Sequence, residues 1–216
     1  MFYWDKKSIA WFENSATQSD FHKNIANEIR KFVKKDCSLL SLGSGLGFLE
    51  RELSPYFKDM VLVDNNKFAT DYLNQHKLCN QKVINLDSKD IEIKSDYLLL
   101  SFFSRMYIND DLDDYLNLTN KKIFYLVNER HTDLKELISY LISKGNTFSM
   151  KSFRINFDQI LDKNEIEDFL NHYYSQEDEN RKKELRNQFE ELDDNRVIFK
   201  NKKKIILFII FKGEIN

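Results

Sequence analysis

Three of the chain's five glycines fall within five residues, Gly43-Ser44-Gly45-Leu46-Gly47. Glycine adopts positive φ without strain and lets a ligand approach the main chain closely. The apolar run Ser38 to Leu42 leads into this loop, and a helical pattern from Phe48 to Phe57 leads out of it. At such a junction the first helical N–H groups are unpaired and the helix end carries partial positive charge. This chemistry suits an anionic or zwitterionic, nucleotide-like ligand. Asp64 ends the next apolar run, Met60 to Val63. An ionised carboxylate only accepts hydrogen bonds, which fits a pair of vicinal ribose hydroxyls in the crevice beyond a strand end. Asp87-Ser88 follows a third run, Lys82 to Leu86, where ordinary turn chemistry competes with a binding role.

These residues need a scaffold that brings several strand ends to one edge. Asp20 to Lys34 has apolar residues at helical spacing, as do Lys67 to His76 and Asp133 to Ser143. Tyr97 to Phe103 and Ile123 to Val127 read as strands buried on both faces. Strand and helix alternate, which predicts an α/β fold with a doubly wound, mostly parallel sheet. The last third departs from that rhythm. Phe148 to Phe157 reads as a strand with a slip, and Asp162-x-x-Glu165 opens a helix through Tyr174. Asp178 to Leu192 reads as a charged helix with the stripe Leu185, Phe189 and Leu192. Arg196 to Lys200 and Ile205 to Phe211 read as strands. With no repeat, low-complexity linker or proline–glycine hinge, the expectation is one domain over residues 1–216. It comprises an N-terminal helical segment (1–35) and a helical insertion (162–192) between the last strands.

The dinucleotide fingerprint requires G-x-G-x-x-G, and its third glycine position is Phe48 here. That disfavours a nicotinamide oxidoreductase. Leu40 through Phe48, a hydrophobic strand running into G-x-G-x-G, instead resembles motif I of class I S-adenosylmethionine-dependent methyltransferases. The resemblance extends along most of the chain. Asp64, in Leu62-Val63-Asp64-Asn65, matches the family's ribose-binding acid. Asp87, in Asn85-Leu86-Asp87-Ser88, matches the residue that meets the adenine amino group, with Asp90 an alternative. Asp96-Tyr97 stands where the family opens its fourth strand, with the order of the pair reversed, and Ser101-Phe102 ends it. Phe148 to Phe157 and Ile205 to Phe211 match the family's antiparallel C-terminal strand pair. The resemblance implies a Rossmann-like sheet of seven strands with helices on both faces. It implies S-adenosyl-L-methionine as cofactor, S-adenosyl-L-homocysteine as product, and a cofactor site of Gly43, Ser44, Gly45, Leu46, Gly47, Asp64, Asn65, Asp87, Ser88, Ser101 and Phe102.

The acceptor is less legible. In similar small-molecule enzymes an N-terminal helical segment covers the cofactor. Phe2, Tyr3, Trp4, Trp11, Phe12, Phe21 and His22 fall in that segment here, and packing explains them equally well. Trp4, Trp11, His22 and Arg105 are the substrate-side candidates, and His131 falls in a loop at the same edge. No catalytic residue is assigned, because a general base is needed only if the acceptor must lose a proton. The place of an Asn/Asp-Pro-Pro-Tyr/Phe motif reads Ser101-Phe102-Phe103-Ser104, and neither Cys37 nor Cys79 follows a proline. No Cys/His cluster suggests a metal. With a formal net charge of -2, these absences favour a small-molecule acceptor over nucleic acid. An RNA or protein methyltransferase and a non-catalytic cofactor-binding protein are the alternatives. Apolar runs are too short for a bilayer and no signal peptide is visible, so a cytoplasmic monomer or homodimer is expected.

Overall fold

The computed structural model describes residues 4–103 and 106–212. In chain order the elements are α1 (Lys6–Thr17), α2 (Phe21–Ile29), β1 (Ser38–Leu42), α3 (Phe48–Leu53), β2 (Asp59–Asp64), α4 (Lys67–His76), β3 (Gln81–Asn85), β4 (Ser95–Ser101), α5 (Met106–Asn109), α6 (Leu112–Asn117), β5 (Thr119–Asn128), α7 (Leu134–Ser143), β6 (Phe148–Asn156), β7 (Gln159–Asp162), α8 (Ile166–Tyr173), α9 (Glu179–Arg186), β8 (Phe189–Glu191), β9 (Arg196–Phe199) and β10 (Lys202–Phe211). They divide into two compact units. The larger comprises Lys23–Arg154 and the described residues from Lys204 onward. The smaller comprises the described residues up to His22 together with Ile155–Lys203.

The larger unit is built on a seven-stranded sheet of order β3-β2-β1-β4-β5-β10-β6. β1 pairs in parallel with both β2 and β4, while β10 runs antiparallel to β5. Strand order reverses direction at β1 and β4. Right-handed crossovers on either side of that point put helices on opposite faces. The strand alternation agrees. Leu40, Leu42, Leu98, Leu100, Ile123, Tyr125, Ile206 and Phe208 pack with Met106, Leu112, Leu137 and Leu141 of α5, α6 and α7. The intervening residues face the other way, where Tyr97 stacks on Phe124 and Ser41 meets Glu50 of α3. Among the described residues no helix is long and apolar enough to cross a membrane.

The smaller unit has its own core: Trp11, Leu161, Phe169, Leu170, Leu185 and Phe199. β7, β9 and β8 form a three-stranded antiparallel sheet. Asp5 caps α1 by accepting from the Ser8 amide at 2.8 Å, and Asn14 donates to the Ile160 carbonyl at 2.9 Å. The capping box is present, with the Glu165 carboxylate accepting from the Asp162 amide. Two sequence expectations change here. The charged helix ends at Arg186, and Phe189 lies on strand β8. Phe189 still packs on the same core as Leu185, so the apolar spacing was a property of the core and not of one helix. Leu192, expected on that stripe, is exposed. The 162–192 stretch is therefore not purely helical, and β9 pairs with β7 and β8.

Leu98 is fully buried in β4. Leu98→Ala should lower the unfolding free energy by about 2–5 kcal/mol in urea denaturation. Ile142→Ala, on the exposed side of α7, should change it by less than about 0.5 kcal/mol.

Candidate functional site

The glycine loop leaves the buried end of β1 with Gly43, Gly45 and Gly47 at φ 67, 53 and 69. All three are in the left-handed region that other residues resist. A Cβ on Gly43 would also overlap the Phe103 ring, and one on Gly47 would overlap the Leu73 side chain. Packing therefore reinforces glycine at Gly43, while at Gly47, where only the tip of Leu73 stands in the way, the positive φ alone calls for it. Between them, the Ser44 amide donates to the Val63 carbonyl at 3.0 Å and the Gly47 amide to the Ser44 carbonyl at 3.0 Å. The Ser44 hydroxyl accepts from the Val63 amide at 3.2 Å and donates to the Ser41 carbonyl at 3.1 Å. The loop is thus tied to β2 through main-chain and side-chain bonds.

Asp64 completes that tie. Its Oδ2 accepts from the Gly45 amide at 2.8 Å and its Oδ1 from the Asn66 amide at 2.8 Å. Burial holds the carboxyl above its ordinary value, opposed by those two amides. Each oxygen takes one N–H and keeps acceptor capacity for a second donor. The Asp64 carbonyl accepts from the Leu86 amide at 3.2 Å and from the Asn85 side chain at 3.0 Å. The end of β3 is in this way drawn to the end of β2.

The sequence-assigned cofactor residues accordingly gather at the carboxyl edge of β1, β2, β3 and β4, beside the point where strand order reverses. Asn65 is exposed, and Asn66 caps α4 by accepting from the Ala69 amide at 3.1 Å. Asp87 accepts from the Lys89 amide at 3.0 Å, and Ser88 opens the short turn that follows. Beyond β4 and half-buried Ser101, Phe102 has φ 54 and is 46% exposed, with its amide donating to the Leu126 carbonyl at 3.0 Å.

Of the substrate-side candidates, Trp4, Trp11 and His22 fall in the smaller unit. Trp11 is 3% exposed in the core of the smaller unit, edge-on to Phe169. Trp4 and His22 belong to the same unit. Trp4 packs edge-on to Phe12, and His22 packs against Phe21 and Phe157. Arg105 lies outside the described residues, as do Phe2 and Tyr3.

Two contributors were missed. Phe103, read only as the end of an apolar run, covers Gly43. Glu50, on the first turn of α3, is 2% exposed and accepts from the fully buried Ser41 hydroxyl at 2.6 Å. Burial pushes the Glu50 carboxyl up to about 7. Its position, three residues after Gly47, carried no signal beyond that of an ordinary charged helix residue.

No family model and no curated protein matches this chain. Solved structures do match. Precorrin-6y C5,15-methyltransferase from Geobacter metallireducens is similar over 86% of this chain and 89% of its own, with TM-score 0.53 and 11% identity. TYW2 from M. jannaschii, solved in complex with AdoMet, is similar over 89% of this chain and 76% of its own, with TM-score 0.51 and 13% identity. YcgJ from Bacillus subtilis is similar over 89% of this chain and all of its own, with TM-score 0.59 and 10% identity. The likeness is one of fold: the chain has the class I, Rossmann-like methyltransferase fold.

Glu50 gives this site a measurable pH signature. Its carboxyl rises from 4.5 in the unfolded chain to about 7 in the fold. The stability contributed by the protonated, buried acid is complete below the unfolded value and is lost as pH rises through the folded one. The loss is about 3 kcal/mol at full ionisation. Glu50→Gln should therefore flatten the fall in unfolding free energy between acidic and mildly alkaline pH. A variant with the parent's pH dependence would contradict the assignment.

Proposed function

We propose that this chain is an S-adenosylmethionine-dependent methyltransferase acting on a small-molecule acceptor. The observation that carries the reading is Asp64. It is a buried carboxylate at the end of β2, fixed by the Gly45 amide, with acceptor capacity left on both oxygens. The residues fit the cofactor. A ribose diol would bond to Asp64, and the loop from Gly43 to Gly47, with Ser44 and Leu46, would lie beneath the amino-acid portion. Asn65 and the Asp87-Ser88 turn would flank the nucleoside. Exposed Leu86 and Phe102, at 37% and 46%, offer apolar surface to the flat base, with Ser101 beside them.

The bound cofactor supplies a methyl group already activated on a positively charged sulfur. The protein's part is to hold the acceptor in line with it and to keep water away. Positioning of that kind contributes about 7–11 kcal/mol in favourable cases. No side chain is assigned as general base. The net charge of -2 and the absence of a Pro-Pro motif after β4 favour a small-molecule acceptor over RNA. The small-molecule reading is the better supported of the two.

Asp64→Ala should weaken S-adenosylmethionine binding at least about tenfold, the loss of one or two charge-assisted hydrogen bonds, while the far-UV circular dichroism spectrum stays that of the parent. Unchanged affinity would remove Asp64 from the ribose role. An assay for S-adenosylhomocysteine release should respond to pooled small-molecule metabolites and not to bulk tRNA. The reverse response would overturn the acceptor class.

A further inference from the structure

At the edge of the sheet opposite the glycine loop lies a recess of about 290 Å³. It is formed where the chain enters β1 and β2. Its rim carries the cations Arg30, Lys34, Lys35 and Lys58, with Asp36 the sole acid of the lining. The lining thus has three more positive than negative charges, in a protein whose formal net charge is -2. Asp59 adjoins Lys58 in the chain, while two other carboxylates outside the lining are engaged with other lysines. Glu28 pairs with Lys31 and Lys151, and Asp96 pairs with Lys121. No carboxylate pairs with Lys34, Lys35 or Lys58 among the described residues.

The recess has a fixed frame. The Lys34 amide donates to the Tyr97 hydroxyl at 3.1 Å, and the Lys58 amide to the Cys37 carbonyl at 2.9 Å. Arg30 donates from Nη1 to the Tyr56 hydroxyl at 3.0 Å, and its guanidinium stands 5.7 Å from that ring. Lys122, which donates to the Phe32 carbonyl at 3.3 Å, is held below its usual value by burial and then by the charge of Lys34. Four cations are crowded here against a single acid of the lining, Asp36.

We propose that this recess binds a small phosphate ester. Its phosphate oxygens would be met by Arg30, Lys34, Lys35 and Lys58, and its organic body would lie against Tyr56 and Pro55. Several cations converging on one recess suit a compact anion with many acceptors, and an arginine preorganised by a tyrosine loses little freedom on binding. The size favours a mononucleotide-scale ligand over a polymer. A cavity of this volume lies at the lower end of small-molecule pockets, and a bound strand would need a basic stripe running beyond it. The site is separate from the glycine loop and does not depend on the methyltransferase reading.

The test is calorimetric titration of the full chain with pyrophosphate, ADP and a ten-nucleotide single-stranded RNA, at low salt and again at about physiological salt. Submillimolar binding of pyrophosphate and ADP is expected, weakened at least tenfold by Lys34→Glu and by Lys58→Glu. Circular dichroism and thermal melting would show that both variants fold, so a lost site is distinguished from a lost fold. The proposal is overturned if neither pyrophosphate nor ADP binds at low salt, or if both variants bind them like the parent. RNA binding tighter than ADP, lost in the same variants, would overturn the small-ligand form by assigning the phosphates to a strand.

Discussion

The hydrogen bond from the Gly45 amide to the Asp64 carboxylate, 2.8 Å long, joins the two parts of the site. One end belongs to the loop after β1 and the other to the last residue of β2. It fixes the distance between the glycine loop and the acid that faces it. Gly45 takes a positive φ at this bond, and the burial of Asp64 strengthens a charge-assisted bond in a low dielectric. The Ser44 bonds to Val63 and Ser41 brace the same junction one residue earlier. A preorganised carboxylate loses little freedom when a ligand arrives, so its attraction for a diol is largely retained as affinity.

The larger unit places this junction through simple burial rules. Its central strands are apolar on both faces because helices cover both. Polar residues therefore collect at strand ends, where backbone turns leave the sheet. The exceptions are informative. Ser41 and Glu50 are buried polar partners directly under the glycine loop. A neutral Glu50 avoids a second buried negative charge near Asp64, which itself helps to raise the Glu50 carboxyl. The same sheet presents opposite chemistry at its two edges: a carboxylate held by the glycine loop at the carboxyl ends and a cation-rimmed recess at the amino ends.

The legible part of this protein was its local chemistry. Glycines are rare here, so their concentration at Gly43 to Gly47 marked a backbone constraint, and the structure has all three at positive φ. Uninterrupted apolar runs marked buried parallel strands, and Asp64 stood out as the first charge after one of them. What was not legible required tertiary contact. Leu185 and Phe189 have helical spacing yet lie on a helix and a strand of one core. In the smaller unit β7 pairs with β9 across the two helices that separate them in sequence. Phe103 and Glu50 gained their roles only from what they touch, Gly43 and Ser41. Trp11, a substrate-side candidate by sequence position, is a core residue of the smaller unit.

The measurement that tests the account most directly is calorimetric titration of the purified, ligand-free protein with S-adenosylmethionine, S-adenosylhomocysteine and NADH. The account predicts binding of the first two at roughly micromolar affinity, about -8 kcal/mol, and no binding of NADH. Binding of NADH alone, or of none of the three, would contradict it.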